Sequence, residues 1–284
     1  LAPAGLAGFT HLVMQQDERQ DRANRKPRTE NRELRTDMFP YRDVTYPLNV
    51  FMHILMGDEG GVTCLHYALF EHEGESIAMA QERSTEILLA RLPQPPARIL
   101  EAGIGLGTTL ARLTRAGYDA VGITPDRQQI AMVRDRFGDE LRVECVAFEQ
   151  FEADRPFDVV VFQESSQYIP SEALFAKAKT LTRRVLVLDE FALKPIDTPG
   201  ALHSLEDFLA AAERHGFAKL EELDLSAKAA PTIDYFLQRI PRYRESLKKD
   251  LGITDRQVDD LLTSNYRQLY REGVYGYRLL VFGR

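Results

Sequence analysis

The stretch Arg98-Ile-Leu-Glu-Ala-Gly-Ile-Gly-Leu-Gly-Thr-Thr-Leu110 decides how the rest of the chain is read. A short apolar run, Ile99 and Leu100, ends in a carboxylate at Glu101. Glycines then alternate at Gly103, Gly105 and Gly107, and Leu110 and Leu113 open a helical pattern. Strand, glycine turn and helix make a nucleotide-cofactor loop, because glycine lets the backbone turn sharply and lets a ligand lie against it. A dinucleotide fingerprint needs G-x-G-x-x-G, and Thr108 stands where its third glycine belongs. An acid directly before the loop repels a pyrophosphate, but it suits a ligand that carries an ammonium group and no phosphate. On this stretch alone, an ordinary glycine-rich turn is the alternative.

Downstream of the loop, strand and helix signals alternate regularly. Strands are expected at 98–102, 120–123, 141–145, 157–162 and 184–189, and helices at 108–116, 126–137, 171–181 and 205–215. Uninterrupted β-branched runs such as Val159-Val160-Val161 suit parallel strands covered on both faces. Helical material follows at 233–251 and 255–269, and Tyr275–Phe282 reads as a terminal strand. Upstream, Pro93, Pro95 and Pro96 stop a helix expected over 76–92 and set a boundary before the sheet. Residues 1–95 therefore read as a helical N-terminal extension. Within it, 15–37 is a mixed-sign charged stretch, and 38–55 is an aromatic, apolar segment that either covers the site as a lid or packs in the core. The expected architecture is α/β: a doubly wound, mostly parallel, Rossmann-like seven-stranded sheet over 96–284, with a helical insert at 226–270 as a substrate cap.

The chain has 284 residues and a net charge of -7, which argues against a nucleic-acid partner. No apolar run approaches the roughly 20 residues that span a bilayer, so no stable membrane association is expected. Residues 1–13 lack the basic start and cleavage site of a secretory signal. Two cysteines are too few for a disulfide framework or a zinc site, and a reducing, cytoplasmic setting is expected, with no metal.

The E-x-G-x-G-x-G pattern from Glu101 to Gly107 resembles motif I of class I methyltransferases, which bind S-adenosylmethionine (SAM). Three further stretches, each after a strand, are similar to one branch of that group, the tocopherol and sterol methyltransferases and cyclopropane-fatty-acid synthases. In Gly122-Ile-Thr-Pro-Asp-Arg-Gln-Gln129 the resemblance implies that Thr124 and Gln129 contact the ligand; Asp126 replaces the usual Ser as a helix cap or a ribose acceptor. In Phe148-Glu-Gln-Phe151 it implies that Phe148 stacks on adenine and Glu149 accepts from its amino group. In Phe162-Gln-Glu-Ser-Ser-Gln-Tyr-Ile-Pro170 it places Gln163 with the cofactor and Glu164 facing the methyl acceptor. There Glu164 either takes a proton or only fixes the loop. Tyr168 orients substrate or packs.

Upstream, Cys64-Leu-His-Tyr-Ala-Leu-Phe-Glu71 resembles the aromatic motif that precedes this fold in the same branch. The resemblance implies that Tyr67 reaches the methionine carboxylate, with His66 as a candidate base or a structural histidine. The implied reaction is in-line methyl transfer to a small, partly apolar metabolite at N, O or C. Phe39, Tyr41, Tyr46, Phe51, Tyr235, Phe236 and Tyr243 are expected to enclose that acceptor. Cyclopropanation of acyl lipids is the nearest rival; Gln167 stands where those enzymes typically carry a Glu. A SAM-binding protein without catalysis is the rival of another class. The oligomeric state is open, a homodimer among the alternatives.

Overall fold

The computed structural model describes residues 41–195 and 202–284. The charged stretch 15–37 and Phe39 lie outside these residues. Seven strands form one sheet: β1 (Arg98–Ala102), β2 (Asp119–Thr124), β3 (Val143–Cys145), β4 (Val159–Gln163), β5 (Arg184–Ala192), β6 (Ala218–Asp224) and β7 (Tyr275–Gly283). Their order is β3-β2-β1-β4-β5-β7-β6, all parallel except β7, which runs antiparallel to both neighbours. The expected doubly wound, mostly parallel sheet is present.

Alternation along the strands sorts the core onto two faces. Pairing of Ile99 with Val159, Val161 with Leu186, and Leu186 with Val281 carries one apolar row across the sheet. Leu100, Val160, Val185 and Phe282 carry the opposite row. Helices α5 (Ser171–Leu181) and α6 (Leu205–Arg214) cover this second face. Phe175 lies 5.0 Å from Phe208 and 5.2 Å from Phe282, both edge to face, the geometry that ring quadrupoles favour.

The first face carries α3 (Thr108–Arg115), α4 (Arg127–Phe137), and material from both ends of the chain. α1 (Leu48–Glu59) and α2 (Ile77–Leu89) come from the N-terminal extension. α7 (Ser226–Ala229), α8 (Pro231–Leu251), α9 (Asp255–Leu262) and α10 (Tyr266–Arg271) come from the C-terminal insert. The extension packs on the insert: Phe51 meets Phe236 at 4.6 Å between ring centres, and Asp58 accepts from Arg239, Arg242 and Tyr243.

The helical material expected over 255–269 is two helices, broken at Thr263-Ser264-Asn265, whose short polar side chains favour turns over helix. Two further features differ from expectation. The seventh strand is β6, a partly exposed edge strand of mixed polar sequence with no apolar run to mark it. Phe51, Tyr235, Phe236 and Tyr243 belong to the packing of α1 on α8 and line neither cleft described below.

Candidate active site

The strand order reverses between β1 and β4, so a crevice opens beyond their carboxyl ends. Two clefts share Gly103 there. A narrower one of about 350 Å³ is floored by Glu101 and the glycine loop, walled by Thr109 and Gln163, and roofed by Thr63–His66. A wider one of about 630 Å³ lies against Thr124, Asp126, Gln129, Phe148, Glu149, Ser165 and Tyr168.

The glycine loop turns through left-handed backbone. Gly105 has φ +51° and faces Leu65 across the narrower cleft. Gly107, at φ +73°, caps α3; a Cβ there would sit 2.9 Å from Val133 Cγ2, so the position excludes a side chain on two counts. With the loop drawn in this way, two buried groups at the narrower cleft have no hydrogen-bond partner among the described residues: Glu101 Oε2 and Gln163 Nε2. Thr109 donates to Gln163 Oε1 at 2.8 Å, which leaves the NH2 end as the open donor. Burial, with a smaller contribution from Cys64, pushes the Glu101 carboxyl up to about 8. A buried acceptor of variable charge and a buried donor on one cleft match the two ends of an amino-acid zwitterion.

The wider cleft is built from three strand ends. Thr124 donates to Gln129 Oε1 at 2.9 Å, tying the end of β2 to the first turn of α4. Asp126 is the N-cap of that helix, its Oδ1 accepting from the amides of Gln128 and Gln129 at 2.7 and 3.4 Å, and it also lines the cleft. Phe148 is buried and meets Phe162 edge to face at 5.0 Å, while Glu149 is exposed at the rim.

The residues assigned to the reacting face are arranged differently from expectation. Glu164 is fully buried, with its Oε1 accepting from the Tyr67 amide and, at 2.6 Å, from the Tyr277 hydroxyl; it lines neither cleft. Its φ of +54° makes it the one non-glycine residue in left-handed backbone among those described, a strain of roughly 1–2 kcal/mol. Burial pushes its carboxyl up to about 8, against the lowering effects of His66 and Tyr277.

His66 lines the narrower cleft, but both ring nitrogens are engaged, Nδ1 with the Tyr67 carbonyl at 3.1 Å and Nε2 with Thr85 Oγ1 at 3.1 Å. Burial lowers its pKa, so the ring is neutral and its lone pair faces a hydroxyl. Tyr67 turns away from the clefts into an aromatic cluster, 5.4 Å from Tyr277 and 6.4 Å from Tyr270. Tyr168 lines the wider cleft beside Phe148, not a separate acceptor face.

Several supporting residues escaped the sequence reading. Thr109 orients Gln163, and Asp189 accepts from the Ser166 amide and hydroxyl at 3.0 and 2.6 Å, fixing the loop after β4. Glu190 accepts from Tyr266 and Tyr270 at 2.7 and 2.6 Å and ties the insert to β5. Gln81 is buried on the inward face of α2, which it shares with Ser84 and Thr85 as well as Ile77, Ala80 and Leu88, so no apolar stripe marked it out. Among the described residues no cluster of three metal-ligating side chains occurs, and no helix is long and apolar enough to cross a membrane.

Residues 99–186 match the family described as a methyltransferase domain. The fold is similar to that of a cyclopropane synthase from Mycobacterium tuberculosis, at a TM-score of 0.70 and 19% identity over 86% of this chain and 96% of that one. It is also similar to geranyl diphosphate C-methyltransferase from Streptomyces coelicolor A3(2), solved with Mg2+, geranyl diphosphate and S-adenosyl-L-homocysteine, at 0.61 and 15% over 84% and 98%. At these identities the likeness is one of fold. No curated protein matches the chain.

Proposed function

We propose, on the premise that this chain is a class I methyltransferase, that the two clefts are the halves of one SAM site and that the acceptor is a small, partly apolar metabolite. The observation that carries the reading is the pair of orphaned buried atoms, Glu101 Oε2 and Gln163 Nε2, at the narrower cleft. Glu101 would take the α-ammonium group and Gln163 the carboxylate, while Phe148, Glu149, Thr124 and Gln129 would hold the adenosine in the wider cleft. The bound cofactor supplies an activated methyl electrophile.

The chain's own residues then have a limited task. Glu101 and Gln163 fix the methionine end of the cofactor and the residues of the wider cleft its adenosine end, and the packed aromatics beyond Glu164 and Glu190 keep the reacting end dry. Orientation and water exclusion are the main contributions to a displacement of this kind. No base role is assigned to His66, whose nitrogens are committed.

Cyclopropanation is the second reading, prompted by the fold of the mycobacterial enzyme. Gln167 speaks against it, because its amide is spent on the Glu190 carbonyl and the His203 amide. Incubation with SAM and a panel of amines, phenols, carboxylates and prenyl compounds, read by mass spectrometry, tests the reading. A product heavier by one methylene, formed in step with S-adenosylhomocysteine, is expected. Cofactor that binds but is never consumed would make the chain a binding protein.

A further inference from the structure

The segment 62–70 has neither helix nor strand, yet Cys64–Leu69 are buried. Buried backbone without a ladder must find its partners elsewhere. Beside backbone bonds from Leu69 to Ala80 and from Phe70 to Lys228, side chains from α2, α3, α4, α8 and the residue after β4 supply them. On the glycine-loop side, the Thr63 carbonyl accepts from Thr108 Oγ1 and from Arg136 at 3.2 Å. From α2, Gln81 Nε2 donates to the carbonyls of Cys64 at 3.3 Å and His66 at 2.8 Å. From the end of β4, Glu164 accepts from the Tyr67 amide. From α8, Thr232 bonds both the amide and the carbonyl of Ala68, at 3.1 and 3.0 Å.

Residues 63–66 are also the roof of the narrower cleft, opposite Glu101 and Gly105. The roof is therefore held by posts on both sides. Gln81 stands on the side of the N-terminal extension. Glu164 stands on the other side, held in the left-handed backbone that aims its carboxylate at the Tyr67 amide, with Tyr277 donating to the same oxygen.

We propose that Gln81 and Glu164 are positioning residues for the cofactor, holding residues 63–67 as a strap across its methionine end. The inference rests on the reading of the cleft as a SAM site. It makes Glu164 act through the strap and not on the acceptor, and it gives the N-terminal extension a share in cofactor affinity through one buried amide. The strap lines the narrower cleft and contributes no residue to the wider one, so its loss weakens a ligand with an amino-acid tail and spares one without it.

Calorimetric titration of the whole chain with S-adenosylhomocysteine and with adenosine tests this. In Gln81→Leu and Glu164→Leu, affinity for S-adenosylhomocysteine falls at least about tenfold and affinity for adenosine changes less than about threefold. Glu164→Gln keeps affinity for both ligands within about threefold, because its amide oxygen still accepts from Tyr67 and Tyr277. If Glu164→Leu does not fold, Gln81→Leu carries the comparison alone. Parallel loss of both ligands, or no loss of either, overturns the proposal while leaving the cofactor reading intact. Failure of the unmodified chain to bind S-adenosylhomocysteine removes both.

Discussion

Glu101 offers the sharpest test of the cofactor chemistry. Its carboxyl is buried, is pushed up to about 8, and presents an oxygen without a partner to the narrower cleft. An α-ammonium group pairs with the ionised form, so below about pH 8 binding must first remove a proton. With a pKa of about 8, roughly 1% of the carboxyl is ionised at pH 6 and about half at pH 8. The dissociation constant of S-adenosylhomocysteine should therefore fall about 50-fold between these values, about 2.3 kcal/mol, with release of close to one proton per ligand at pH 6. Titration calorimetry in buffers of different ionisation heat measures both quantities. Cys64 is the other titratable group on this cleft wall besides neutral His66, and burial pushes its thiol up to about 11, outside the window. Glu164 and Asp189 are raised to about 8 and 7 but face the Tyr67 amide and Ser166. Glu101→Gln should flatten the profile and weaken binding at pH 8. A flat profile in the unmodified chain, or an unchanged slope in Glu101→Gln, would refute the assignment of the ammonium group to Glu101.

The same raised carboxyls set the stability of the ligand-free chain. Glu101, Glu164 and Asp189 ionise at lower pH when unfolded, so their contribution is full below about pH 4 and is lost as pH rises towards about 8; the urea midpoint should fall from pH 5 to pH 8, and less steeply in Glu101→Gln. Asp126→Ala removes the cap of α4 and should cost about 1 kcal/mol in urea unfolding, with Asp126→Asn close to the unmodified chain. Gly107→Ala forces a side chain into left-handed backbone and against Val133, and should cost about 2–4 kcal/mol in the same assay.

What the sequence made legible follows from physics that is local to it. The loop from Gly103 to Gly107 reads directly because its backbone demands residues without a Cβ, and the strand ends read because parallel strands need unbroken apolar runs. β6 does not read, since Ala218–Asp224 is an edge strand with mostly polar, part-exposed side chains and owes its place to pairing with β7. α1 was ambiguous because Leu48–Leu55 are buried all round, which erases the period that marks a helix face. The site divides in the same way. Glu101, Thr124 and Gln163 sit at strand ends whose direction the sheet dictates, and Gln129 and Phe148 lie within a few residues after such ends. His66, Tyr67 and Glu164 depend on how a structureless segment is strapped across the loop, and that is decided by Gln81, Thr85 and Tyr277, residues distant in sequence or spaced to look like core.

The most direct test of the central claim is a calorimetric titration with SAM and S-adenosylhomocysteine, run on the unmodified chain and on Gly105→Arg. Gly105 faces the narrower cleft beneath Leu65, and an arginine there fills the space assigned to the methionine tail. One-to-one binding of both ligands at about micromolar affinity, lost in a Gly105→Arg chain that still unfolds cooperatively, is the predicted result. Absence of binding to either ligand by the unmodified chain would contradict the account and leave the glycine loop an ordinary turn.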